Sequence, residues 1–113
     1  MEHSLAQSLL AARVRAFEAW LLNKVLEQFD TLATDYEKNN SYHVGYCHPD
    51  DIQWTVMYPI GKLSNQIIEW IMAGFQEFNV RGYVHVWVNR PTCKCNVSLD
   101  MSYDPLHGGN KQQ

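Results

Sequence analysis

The chain is short of positive charge. Its 113 residues hold nine Lys plus Arg against twelve Asp plus Glu, a net charge of −3. A protein that binds nucleic acid chiefly through phosphates needs a basic field. Here the basic side chains (Arg13, Arg15, Lys24, Lys38, Lys62, Arg81, Arg90, Lys94 and Lys111) are scattered. Cysteine is scarce as well. Three residues, an odd number, argue against a disulfide framework and for reduced thiols in a cytoplasmic or nuclear setting. No stretch approaches the ~20 uncharged apolar residues that a membrane span requires. The apolar run from Leu5 to Leu10 meets Arg13, Arg15 and Glu18 too soon, and without an A-x-A-like site, so no secretory signal is expected. Neither of the glycine patterns that cradle phosphates, G-x-x-x-x-G-K-[ST] and G-x-G-x-x-G, occurs in the sequence.

What is present is material for a core. Hydrophobic residues make up 46% and aromatics 12%, which excludes disorder, and the length suits one core rather than two. One domain over residues 1–104 is expected, followed by a flexible tail over 105–113, where Gly108-Gly109 and polar residues gather.

A long helix, continuous or kinked, is expected from Ser4 to about Tyr36. Ser4 and Gln7 have capping-box spacing, and Leu10, Val14, Phe17, Leu21, Val25, Phe29, Leu32 and Tyr36 recur at helical intervals. Glu18 falls inside that arc and spoils it. Two alternating segments follow, Ser41 to Tyr46 and Ile52 to Tyr58. A five-residue loop, Cys47-His48-Pro49-Asp50-Asp51, would pair Tyr46 with Ile52 and Val44 with Trp54, leaving the apolar sets on one face. Pro59 and Gly61 break the strand. A second helix is then read from about Lys62 to Phe78, with Asn79 as its stop. Gly82 to Asn89 is the clearest strand, Val84, Val86 and Val88 alternating with Tyr83, His85 and Trp87. Asn89-Arg90-Pro91-Thr92 turns into a strand from Cys93 to Tyr103, with a register that pairs Val88 with Cys93 and Val84 with Val97. The order α-β-β-α-β-β implies a two-layer α+β fold. Both helices would lie on one face of a four-stranded, mostly antiparallel sheet.

Four constellations bear on function. Cys47-His48 and Cys93-Lys94-Cys95 offer four zinc ligands, but neither pair has the C-x₂₋₄-C spacing of structural sites. The two hairpin tips are also expected at opposite ends of the sheet, so no metal is assigned. Cys47 beside His48, with Asp50 and Asp51 near, has the residue types of a thiol enzyme. Neighbours within one turn rarely aim at each other, and no catalytic residue is assigned. A third feature is the open sheet face, on which alternation gathers His43, Tyr83, His85, Trp87, Lys94 and Asn96. Aromatic rings flanked by amides and hydroxyls suit partner recognition. The fourth is the first helix. At ~1.5 Å per residue it would span ~50 Å, against ~25 Å for strands of seven or eight residues. Leu5, Leu9, Ala16 and Trp20 also form a second stripe nearly opposite Leu10, Val14, Phe17 and Leu21. Self-association through Leu5, Leu9, Leu10, Phe17 and Trp20 is the expectation.

The sequence therefore reads as a non-enzymatic interaction or regulatory protein without cofactor. It would be homodimeric through its N-terminal helix and bind another protein with the aromatic face. The alternatives are a small nucleic-acid-binding protein using that face, and a zinc or thiol enzyme centred on Cys47 and His48.

Overall fold

The computed structural model describes residues 5–47, 55–56, 61–80, 82–89 and 94–100. Helix α1 spans Leu5–Leu32 and a short helix α2 spans Asp35–Asn39. Strand β1 covers Tyr42–Cys47 and β2 Thr55–Val56. Helix α3 covers Lys62–Glu77, and strands β3 and β4 cover Tyr83–Asn89 and Lys94–Asp100. The fold is α+β. The antiparallel strands β1, β3 and β4 form the body of the sheet, and Thr55–Val56 pairs with the outer side of β1, giving the order β2-β1-β3-β4. Of the strand expected over 52–58, only Thr55–Val56 is described. The expected tail over 105–113 and the turn residues His48 and Cys93 lie outside the described residues.

The helix expected to reach Tyr36, continuous or kinked, is divided into two. The chain breaks after Leu32, and Thr34 starts α2 with a capping box. Its hydroxyl accepts from the Glu37 N–H (3.1 Å), and Glu37 Oε1 accepts from the Thr34 N–H (2.8 Å). The break also shifts the helical phase. Tyr36, expected on the core side, is exposed, and Glu37 is buried in its place. Its second oxygen accepts from Ser64 Oγ (2.7 Å), which ties α2 to α3 and leaves both carboxylate oxygens engaged. Gly61 lies against this clasp. A Cβ there would meet Thr34 Cγ2 at 2.8 Å and Glu37 Oε1 at 3.2 Å.

Helix α3 ends in a Schellman motif. Asn79 takes the left-handed conformation (φ 53°) expected of a stop residue. The Asn79 N–H donates to the Gln76 carbonyl and the Val80 N–H to the Phe75 carbonyl. Val80 and Phe75 are both buried, the apolar contact that accompanies this motif.

In both hairpins each residue's partner lies two positions further along the chain than the sequence pattern implied. Val44 lies opposite Val56 instead of Trp54, and Val88 lies opposite Cys95 instead of Cys93. A two-residue slip preserves which face each side chain takes, so alternation alone could not discriminate between these registers. The apolar face collects Tyr42, Val44, Val84, Val86, Val88, Cys95 and Leu99. It is covered by Leu10, Val14, Phe17, Leu21, Val25 and Phe29 of α1 and by Leu63, Ile67, Ile71 and Phe75 of α3, in one continuous core. Helix α1 packs on α3 and β4, and α3 packs on β1. The helices cross most closely where α3 has Gly74 and α1 has Phe17. Glu18, the blemish in the apolar arc, reaches the edge strand, where its Oε2 accepts from the Leu99 N–H (3.1 Å). Burial raises its carboxyl above the usual range, opposed by that hydrogen bond and by Arg15.

Candidate interaction face

With both helices on one side, the other side of the sheet is built by alternation along β1, β3 and β4. His85, Trp87, Lys94, Asn96 and Ser98 are exposed, and His43 and Tyr83 are half-buried. The six residues expected there, His43, Tyr83, His85, Trp87, Lys94 and Asn96, thus share one face. Trp87 is 44% exposed, a large ring held on a paired strand with little conformational freedom left to lose. Its cross-strand neighbours are His43 on one side and Asn96 on the other, while His85 lies between Gly45 and Ser98 and Lys94 faces Asn89. The expected pairing of Trp87 with Lys94, and of His85 with Asn96, is displaced by the two-residue register shift.

The strand order brings His43 and His85 together, because β1 lies beside β3. His43 Nε2 and His85 Nδ1 are 3.2 Å apart. The ring centroids are 5.3 Å apart and the planes differ by 12°. Face-to-face rings would lie much closer, so the imidazoles are nearly edge to edge, sharing one N–H between two nitrogens. The His43 ring also tilts against Trp87, 6.3 Å between centroids. Its pKa is held below the usual histidine value by burial and then by the neighbouring His85. Sequence reasoning placed these two residues on one face without seeing that they touch. That contact depends on which strands are neighbours, and spacing within a strand carries no signal of it.

The residues expected to mediate self-association divide. Leu10 and Phe17 belong to the molecule's own core, and Trp20 is half-buried against Phe17 and Phe78, its ring 5.6 Å from that of Phe78 with Lys24 Nζ 5.5 Å above it. Leu5 and Leu9 are 75% and 52% exposed. They open a longer stripe than the one read from the sequence. Leu5, Leu9, Ala12, Ala16, Ala19, Asn23 and Leu26 are all exposed and follow one another at alternating intervals of four and three. That is the spacing of a coiled-coil seam.

The cysteines expected to be candidate metal ligands are placed apart. Cys47 neighbours Tyr83 at one end of β3 and Cys95 neighbours Val88 at the other, about 17 Å along the strand. Burial pushes the Cys95 thiol up to about 12, so it is a neutral core side chain at physiological pH. Among the described residues, no three His, Cys, Asp or Glu side chains gather into a metal-holding group, and no helix is long and apolar enough to cross a membrane.

Comparison with protein families, with curated proteins and with solved structures finds no match for this chain.

Proposed function

We propose that this chain is a small, non-enzymatic interaction protein that dimerises through α1 and binds a partner protein with the aromatic face of its sheet. The observation that carries the partner site is the sheet face that no described helix covers. There Trp87, exposed and rigidly mounted, is flanked by His43, His85 and Asn96. Exposed aromatic anchors surrounded by polar groups are the usual energetic centre of protein interfaces. In this reading the sheet has four strands, and the protein works with reduced thiols in the cytoplasm or nucleus.

The dimer is supported by the exposed seam on α1. At ~1.5 Å per residue, α1 is ~42 Å long, close to the longest dimension of the molecule, 45 Å. The strands of seven residues reach ~23 Å. Residues 5–9 precede the first buried position, Leu10. The seam has leucines at both ends and alanines in the middle, which lets a second helix approach closely at the centre while the leucines interlock at the ends. Light scattering over a range of concentrations should show a dimer that Leu9→Glu and Leu26→Glu convert to monomer, with far-UV circular dichroism unchanged. A monomeric wild type removes the dimer from the proposal.

The partner site is tested by capture from host extract with wild type and Trp87→Ala. Proteins retained by wild type and lost with the variant support it. Equal retention refutes it. Binding to mixed single-stranded oligonucleotides that weakens steeply with salt would instead favour the nucleic-acid reading.

A further inference from the structure

We infer that His43 and His85 form a binding site for a divalent transition-metal ion on the open face of the sheet. The inference is independent of whether that face also binds a protein. The nitrogens that face each other, His43 Nε2 and His85 Nδ1, are 3.2 Å apart. An ion bonded to both at the ~2.0–2.1 Å typical of zinc and imidazole would subtend an angle of about 100–105° between them. That lies between the right angle of an octahedral site and the ~109° of a tetrahedral one. The rings are near-coplanar, 12° apart with centroids at 5.3 Å, so an ion near their common plane can be reached by both nitrogens once each ring swings its lone pair away from the other.

Three features of the fold prepare this pair. Both ligands sit on adjacent paired strands, β1 and β3, so the backbone is already ordered when the ion arrives. The residue opposite His85 is Gly45, which has no side chain and leaves the diagonal from His43 to His85 open. Finally, His43 is half-buried while His85 is exposed, so the inner ligand is shielded from water and the remaining coordination positions face solvent. In the metal-free protein one of the two facing nitrogens carries the shared hydrogen. Binding requires that ring to take its other tautomer, with the hydrogen on the outward nitrogen, so that both facing nitrogens present lone pairs.

The ion that fits is one that accepts imidazole, such as zinc, copper(II) or nickel. Two protein ligands leave the site open, with water or a donor from another molecule completing the sphere.

The test is calorimetric titration of the whole chain with zinc chloride, in a His3→Gln background that removes the N-terminal histidine as a competitor. One equivalent should bind. His43→Gln and His85→Gln should each weaken binding at least tenfold, since losing even a group that only hydrogen-bonds a metal ligand reduces affinity about 10–100-fold, whereas His48→Gln should leave it unchanged. Long-range nitrogen–proton correlation spectra of the imidazoles give a second readout that does not depend on any variant folding. Zinc should shift His43 Nε2 and His85 Nδ1 and leave their partner nitrogens protonated. No binding, or one equivalent bound without a response at these two nitrogens, overturns the proposal.

Discussion

Replacing Gly74 by alanine sets two well-known effects against each other, and the structure decides which wins. In an exposed helix the change would stabilise by ~1 kcal/mol, because glycine is the poorer helix former. Gly74, however, is buried where α3 crosses α1. A methyl group there would lie 2.7 Å from Phe17 Cδ1 and 2.9 Å from Cζ, with Cε1 nearer still. Ordinary carbon–carbon contacts are ~3.5–4.0 Å, so the ring must move by more than about 1 Å to clear Cε1. It has nowhere to go. Phe17 is fully buried, with the rings of Phe75, Phe78 and Trp20 at 5.8, 5.7 and 6.2 Å. Overpacking of this kind costs ~1–3 kcal/mol, occasionally more. Net of the helix gain, Gly74→Ala should lose up to ~2 kcal/mol, several degrees of Tm for a domain of this size. Urea unfolding followed by far-UV circular dichroism measures it. Phe17→Leu removes the atoms in the way. The double variant should therefore be more stable than the sum of the single effects predicts, by ~1 kcal/mol or more. A Gly74→Ala protein more stable than wild type, or an additive cycle, would refute the close crossing.

Two further perturbations test the polar contacts. Glu37→Ala should be destabilising, by ~1–3 kcal/mol, because it removes the acceptor of the part-buried Thr34 N–H and of the buried Ser64 hydroxyl. Glu37→Gln, which keeps an oxygen for Thr34, should cost about half as much in the same urea assay. For Glu18, burial raises the carboxyl pKa in the folded state. Between the unfolded and folded values, the native protein therefore holds more proton than the unfolded chain. Stability should fall as pH rises through that window above ~4.5 and level off beyond it. Glu18→Gln should abolish this slope while keeping an oxygen acceptor for Leu99. Glu18→Leu should cost ~1–2 kcal/mol by leaving that N–H unmatched. An unchanged slope in Glu18→Gln would show that Glu18 is not its source.

What the sequence determined by itself is local periodicity and its consequences. The six buried positions of α1, the alternating faces of β3 and β4, the stop at Asn79 and the grouping of His43, Tyr83, His85, Trp87, Lys94 and Asn96 all follow from repeats of 3.6 and 2 within single segments. The helix break was legible too, since Thr34 and Glu37 have capping-box spacing. An apolar pattern that continued to Tyr36 masked it. Other features were decided only when segments met. Hairpin register was undetermined because shifts of two residues leave every face intact. Glu18 looked like a fault until the edge of β4 supplied an N–H for it to accept. Leu10 and Phe17 could have faced either a second copy or the molecule's own interior, and α3, crossing at Gly74, claimed Phe17 for the interior. His43 and His85 touch only because β1 lies beside β3. Strand neighbours are chosen by long-range burial, a sum over the whole core to which no single segment holds the answer.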